Sequence, residues 1–474
     1  MYDIFFKLLI ITYRFFDLTI VISVKQLQIV IIFVVIIFSL VCRSQDTQYW
    51  TQTYGTTSTL LGGIVIGSVS DLGATYYNPG NLSLTDDPNF LFTARVFEFS
   101  SLQVDPDNSN ISDFGTTTFK PSPSFVVGNM TADWLGKNRI AFSFLTRQTI
   151  DLRLKTRFDG TDDENSLSTE FVLEEQLNDI WAGITWSYPF EDKLGIGITQ
   201  YIATRYYTSR SEVNVKTSDS LDRVSAISGI TDYEYLDFRI LWKFGIGFTL
   251  ESIKFGLTIT SPSISLFGSG SADINLSGAG LEYNGGNDND DFLISNFQTD
   301  LPSTYNSPLS IGLGAGYKFG NFKIHIATEY FNKVIKYSIL SPEAFKAQTG
   351  DLTVSDDLTA ASDAVLNYGF GLEMYINPKF TLYGAFTTDF SSYAKEAETN
   401  SSISRWNLYH VTAGAAFTIE KIEITSGIAT SFANDNIEFP NIIPTADSEN
   451  GIIFPKQSAG VSSFRIKLIL GITF

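Results

Sequence analysis

The chain has 474 residues, with 32 Lys and Arg against 51 Asp and Glu, and a formal net charge of −19. So acidic a chain lacks the basic footprint that phosphate binding needs, which argues against nucleic acid as a partner. One cysteine, Cys42, and two histidines exclude a disulfide scaffold and Cys-based metal sites, while 14% aromatic content excludes a disordered chain; no metal and no cofactor is expected.

Residues 29–38 (IVIIFVVIIF) are uninterrupted apolar, preceded by Lys25 and followed by Ser39-Leu40-Val41-Cys42-Arg43-Ser44-Gln45. A charged start, a short apolar run and small residues at its end predict a secretory signal peptide over 1–44, cut after Ser44. A lipoprotein cut before Cys42 is disfavoured by the bulky Leu40 and Val41; an uncleaved anchor is the bland alternative. The stretch from Phe5 to Val24, broken by Lys7, Arg14 and Asp17, reads as an over-extended start. Beyond residue 44 no run approaches the roughly 20 apolar residues of a spanning helix. For an exported chain this apolar, the membrane solution is a closed β-barrel.

Residues 45–89 do not alternate and are rich in Gly, Ser and Thr, which predicts a compact plug, or hatch. Asp71 suits the N-cap of a short helix through Tyr77. Asn78-Pro79-Gly80-Asn81 then reads as a turn, with Pro79 fixing φ and Gly80 accepting positive φ.

From residue 90 the period is two. In 309–319 the odd positions are Leu309, Ile311, Leu313, Ala315, Tyr317 and Phe319, against Ser310, three glycines and Lys318. A soluble sandwich would also alternate, so the connections decide. Fourteen strands are predicted, at about 90–104, 123–134, 138–156, 169–188, 193–208, 231–250, 253–267, 307–319, 322–338, 364–377, 379–391, 403–419, 421–432 and 462–474. Tight turns at 135–137, 189–192, 251–252, 320–321, 378 and 420 alternate with long polar stretches at 157–168, 209–230, 268–306, 339–363 and 433–461. Short periplasmic turns and long external loops mark outer-membrane barrels. The amphipathic last strand, ending in Phe474, fits recognition by the barrel insertion machinery. The expected fold is all-β, a 14-stranded antiparallel transmembrane β-barrel over 90–474 with the plug inside, in the lipid of a Gram-negative outer membrane.

Gly67-Ser68, Asp71, Ala74, Tyr77-Asn78-Pro79 and Leu82 resemble the hatch motif of the FadL/TodX-type long-chain fatty acid and hydrocarbon transporters, in a Bacteroidetes-like branch. Gly80 stands where that family usually has Ala. The resemblance implies a fourteen-stranded barrel, an N-terminal hatch and passive uptake of hydrophobic small molecules. The family also has a lateral wall gap at a kinked third strand. Residues 138–156 contain no Gly or Pro, so the sequence predicts no kink there.

Setting the bulkier phase outward places Arg147, Asp151, Arg153, Lys155, Arg205, Arg239, Lys243, Lys323, His325, Glu329, His410, Arg465 and Lys467 in the lumen. A basic wall in an acidic chain either pairs with carboxylates such as Asp71 and Glu329 or holds a ligand head group. Arg147, Arg205, Arg239 and Lys243 are the candidate head-group contacts. Ile264, Leu266 and Phe267, or Ile452–Phe454, are candidate apolar capture residues on external loops. The run NGGNDNDD over 284–291 lacks EF-hand spacing and reads as a solvated loop. His325 and His410 read as structural, so no enzyme is expected. The competing function is an interaction protein of the type IX secretion partner kind, binding secreted proteins. A transporter needs an apolar pocket of roughly 300–1,000 Å³; a docking barrel can be filled solid.

Overall fold

The computed structural model describes residues 47–85, 90–106, 114–130, 132–161, 166–191, 193–218, 222–280, 291–349, 353–394, 405–420, 422–440, 445–447, 451–453 and 456–473. The segment 1–44, the Asp-rich stretch 284–290 and Phe474 lie outside the described residues. Two four-residue helices, α1 (Thr57–Leu60) and α2 (Ala74–Tyr77), and a 3-10 helix (Pro79–Leu84) come first. The strands follow as β1 (Phe90–Pro106), β2 (Phe114–Met130), β3 (Arg139–Thr161), β4 (Ser166–Phe190), β5 (Leu194–Ser218), β6 (Val224–Leu250), β7 (Ile253–Thr260), β8 (Ile264–Ala279), β9 (Phe292–Pro302), β10 (Ser310–Phe319) and β11 (Phe322–Phe331). Then come β12 (Val334–Leu340), β13 (Phe345–Lys346), β14 (Thr353–Val354), β15 (Leu358–Ser362), β16 (Val365–Asn377), β17 (Phe380–Asp389), β18 (Leu408–Ile419), β19 (Ile422–Pro440), β20 (Thr445–Asp447), β21 (Gly451–Ile453) and β22 (Lys456–Thr473).

Fourteen strands of the main sheet close a ring in the order β1-β2-β3-β4-β5-β6-β7-β10-β11-β16-β17-β18-β19-β22, every neighbour antiparallel. β8 and β9 hang from the upper half of β6 as continuations of β7 and β10. Closure leaves no free backbone edge in hydrocarbon at the paired positions, which is why the alternating pattern can be stable there. Along β6 the even positions Leu236, Phe244, Ile246, Phe248 and Leu250 are exposed, while Tyr233, Tyr235, Asp237, Arg239, Leu241 and Lys243 are buried in the lumen. Ring pairs mark both rims of the apolar belt, as interfacial aromatics do. Phe319–Phe322 (5.6 Å) and Phe380–Phe417 (4.7 Å) lie by the tight turns, with Phe238–Phe267 (4.5 Å) and Tyr409–Phe432 (5.9 Å) at the opposite rim. Left-handed residues make the tight turns: Gly136, Glu191, Glu251, Gly320 and Glu420 have φ between 49° and 59°.

Two expectations fail here. The stretches 157–168, 209–230 and 433–461, and much of 268–306, are mainly strand rather than loop. Pairing runs to Thr161–Ser166, Ser218–Val224, Ala226–Ala279 and Pro440–Lys456. β3 to β6 have 23, 25, 25 and 27 residues, against roughly 9–11 needed to span. Above the membrane the outward face meets water and turns polar, so overall polarity rises while the period of two persists.

The second failure is the third strand. The β3–β4 register steps from Thr146–Ile180 to Gln148–Asp179, leaving Arg147 as a bulge. β2 pairs with β3 only from Met130–Ile140 to Phe125–Leu145. Beyond that, β2 is bonded to β1 alone and β3 to β4 alone. A bulge bends a strand without Gly or Pro, so their absence was no guide. The sequence signal lay in β2: Pro121 and Pro123 bring no N–H to a ladder. The bulge also flips the phase of β3. Arg153 and Lys155 face outward, where they ion-pair with Glu174 and Glu170, and Asp151 is exposed with them.

Candidate functional site

Residues 47–85 touch inward faces on every side of the ring. Tyr54 Oη donates to the Thr146 carbonyl beside the bulge (2.9 Å), Lys467 Nζ to Thr51 O (2.9 Å), and Asn78 Nδ2 to Ile246 O (3.0 Å). Asp71 is not the N-cap of α2, which starts after Gly73. It fastens two parts of the segment, accepting from Ser58 N (3.0 Å), Ser58 Oγ (2.7 Å) and Gly73 N (2.9 Å). It therefore pairs with no lumen cation among the described residues.

Asn78, Pro79, Gly80 and Asn81 do form a turn, closed by Asn81 N donating to Asn78 O (3.0 Å), but not one with positive φ. They open a 3-10 helix, with Asn78 Oδ1 accepting from Gly80 N (3.1 Å), and Gly80 has no positive φ. Gly80 is needed for room: a Cβ there would lie 2.7 Å from the carbonyls of both Gly195 and Gly245. The wall is glycine-rich because segment backbone rests directly on strand backbone.

His325 holds this segment directly, and His410 acts on it only through Asp389. His325 Nδ1 lies 2.6 Å from Ser68 Oγ, with Nε2 2.8 Å from Glu373 Oε1, which also faces Lys323 Nζ (3.4 Å). His410 Nδ1 lies 2.6 Å from Ser431 Oγ, with Nε2 3.4 Å from Asp389 Oδ2. Asp389 in turn accepts from the backbone N–H of Tyr49 (2.9 Å) and Trp50 (2.8 Å). Arg465 and Lys467 also point inward.

Higher up, the lumen carries a buried charged layer. Arg147, Arg205, Arg239 and Lys243 converge there from β3, β5 and β6. One carboxylate, Asp179, serves two guanidiniums: Arg205 Nη1 at 3.1 Å and Arg239 Nη2. Its other oxygen takes Trp181 Nε1 (2.9 Å). Lys243 Nζ sits 4.6 Å over the Tyr76 ring and 3.9 Å from Glu329, which already accepts from Trp50 Nε1 (2.9 Å) and Ser310 Oγ (2.7 Å). Arg147 has rings for company, Trp181 at 5.8 Å and Tyr49 at 6.0 Å; Asp179 and Glu329 line the same cavity, but neither is within ion-pairing distance of Arg147 among the described residues. Arg205 Nη2 and Arg239 Nε and Nη1 lack hydrogen-bond partners. Buried donors without acceptors are costly. Arg147, Arg239 and Lys243 face a cavity of ≈ 40 Å³, walled by Tyr49, Tyr76 and Trp181, with room for roughly two or three waters.

Above the layer the lining turns apolar. A tyrosine-rich cluster (Leu177, Tyr207, Tyr233, Tyr235, Leu340) comes first, then Leu154, Phe171, Leu173, Val213, Val215 and Leu276. Ile264, Leu266 and Phe267 are not in a loop. They lie in β8 with exposed side chains, Phe267 stacked on Phe238. Sequence reasoning missed Asp179, whose partners come from neighbouring strands, and Tyr305, whose flanking Pro302 and Pro308 were the available signal.

No protein-family model matches the sequence. No curated protein matches it either. Solved structures share its fold. A Pseudomonas aeruginosa FadL homologue aligns at TM-score 0.55 and 11% identity, covering 90% of this chain and 99% of that one. The P. putida toluene transporter TodX aligns at TM-score 0.56 and 13% identity over 89% and 98%. The CymD monoaromatic hydrocarbon channel aligns at 0.51 and 10% over 89% and 98%. The chain thus has the fold of the FadL/TodX-type outer-membrane barrels.

Proposed function

We propose that the chain is a passive outer-membrane channel for a long apolar molecule with an anionic head, of the long-chain carboxylate class. The charged layer carries this reading. Four buried cations face Asp179, Asp237 and Glu329, several of their donors lack acceptors, and no carboxylate lies within ion-pairing distance of Arg147 among the described residues. A neutral hydrocarbon would leave those donors unpaired; a carboxylate satisfies them by charge-assisted hydrogen bonds. The exposed apolar patch of Ile264, Leu266 and Phe267 is the proposed capture surface at the outer rim. The apolar upper lumen receives the tail, at about 0.8 kcal/mol per buried methylene. The interrupted β2–β3 ladder, next to Arg147, is the proposed way out of the wall. Residues 47–85 act as the plug.

The cavity at the cations holds a head group and no tail, so passage requires part of the lumen filling to move. A filled lumen is also what a docking barrel for secreted proteins would show, and that is the second reading. The deciding experiment is calorimetric titration of the purified protein with a long-chain fatty acid and its methyl ester. The acid should bind more tightly, and Arg147→Ala should remove the difference, a loss of roughly 1.5–3 kcal/mol for a hydrogen bond to a charged group. Equal binding of acid and ester would refute the anionic head; binding of neither would favour the docking barrel.

A further inference from the structure

The barrel wall is interrupted twice at one height. β7 stops at Thr260 and β8 starts at Ile264; β9 stops at Pro302 and β10 starts at Ser310. Between the latter two, residues 303–309 leave the ladder. Isolated bonds hold them, and most pass through a side chain. Tyr305 N donates to Asp237 Oδ2 (3.3 Å), Asn306 N to Tyr337 Oη (3.0 Å), and Ser307 N to Ser263 Oγ (2.9 Å). Ser263 Oγ donates to Tyr305 O (3.2 Å), and Thr304 N to Ile339 O (3.1 Å). Pro302 precedes the segment and Pro308 lies within it, and neither contributes an N–H. Backbone held by a few separate bonds opens at lower cost than backbone in a continuous ladder.

Tyr305 is the residue this segment delivers inward. Its ring lies 4.0 Å from Arg205 Cζ and 4.8 Å from Arg239 Cζ. It packs below the tyrosine-rich cluster and lines the small cavity together with Arg147 and Lys243. Anything descending from the apolar upper lumen to the cations must displace this ring or slip past it.

We propose that residues 303–309 form an inner strap and that Tyr305 is the gate between the apolar upper lumen and the cation layer. Its ring admits an unbranched chain beside the carboxylate and rejects a branched one. The selectivity half rests on the carboxylate reading above; the gate itself does not. Ser310 rejoins the wall directly below, so the strap can swing while β10 stays paired with β7 and β11.

Two measurements on the full chain test this. In a Cys42→Ser, Ser310→Cys background, the cavity-lining thiol is titrated with an anionic, membrane-impermeant thiosulfonate, without ligand. Tyr305→Ala should label at least several-fold faster than the chain with Tyr305, and Tyr305→Phe should label as slowly as Tyr305 does. The Phe variant separates loss of the ring from general loosening. Equal rates for Ala and Tyr overturn the gate. Next, dodecanoate is compared by calorimetry with its branched isomer 2-butyloctanoate. The chain with Tyr305 should favour the linear acid by roughly tenfold, the scale on which pocket shape discriminates, and Tyr305→Ala should abolish that ratio. An unchanged ratio overturns the selectivity half. If neither acid binds, the carboxylate reading falls, and the labelling rates alone decide the gate.

Discussion

At the scale of single residues, the informative side chains are those that share a partner. Asp179 is the acceptor for two buried guanidiniums and an indole. Asp179→Asn takes the ion-pair partner from Arg205 and leaves Arg239 with only the longer contact from Nη1 to Asp237 (3.7 Å). Breaking a buried pair from one side costs about 3–5 kcal/mol, and urea unfolding of the refolded barrel should show a loss of that size. A loss below about 1 kcal/mol, the surface-pair value, would mean that water already screens the layer. The inward cations themselves were legible from the alternation on β5 and β6. Arg153 and Lys155 were misplaced because one bulge residue, Arg147, reverses every side chain beyond it. Gly80 is a second kind of case. The sequence suggested a glycine chosen for φ; the structure requires one for clearance from Gly195 and Gly245. Gly80→Ala should therefore destabilise by about 1–3 kcal/mol, as overpacking does, read as a shift of the urea midpoint.

At the scale of elements, β3 is two strands in one. Below the bulge it is paired on both sides, and above it only with β4. Residue-resolved hydrogen exchange should show protection at every amide of 140–145. From 148 to 161 protection should alternate, with amides aimed at β4 slow and those aimed at β2 fast. Uniform protection up the strand would mean that β2 and β3 are zipped and that the proposed exit is absent. The N-terminal segment depends on a different device. Asp71 ties α1 to the residues before α2 through Ser58 and Gly73. Asp71→Ala should loosen the plug without unfolding the wall. Ion conductance in planar bilayers should rise while heat-modifiable gel mobility stays that of a folded barrel; unchanged conductance would sink the plug role of this clasp.

At the scale of the whole molecule, the ring and the segment inside it make separable contributions. The ring is closed by its own ladder from β1 to β22. The segment adds side-chain bonds from Asp389, His325 and Lys467. Deleting 47–85 should leave a protein that inserts and closes but conducts as an open pore, and it should unfold at lower urea. Failure to insert at all would show that the wall needs its filling to form.

The fourteen-strand order, the tight turns and the inward set on most strands were determined by the sequence alone. Alternation and turn chemistry are local, and the lipid outside demands the same apolar face at every height of the membrane. The tertiary structure decided what depends on register and on distant neighbours. It decided how far the strands rise above the lipid, because there the outward face turns polar and mimics a loop. It decided where β2 and β3 part, because the one-residue bulge in β3 leaves no composition signal and Pro121 and Pro123 mark only the β2 side. It brought Asp179, Arg205, Arg239 and Tyr305 together from strands and a strap up to 126 positions apart in sequence. No local pattern encodes that meeting; barrel closure and its stagger do.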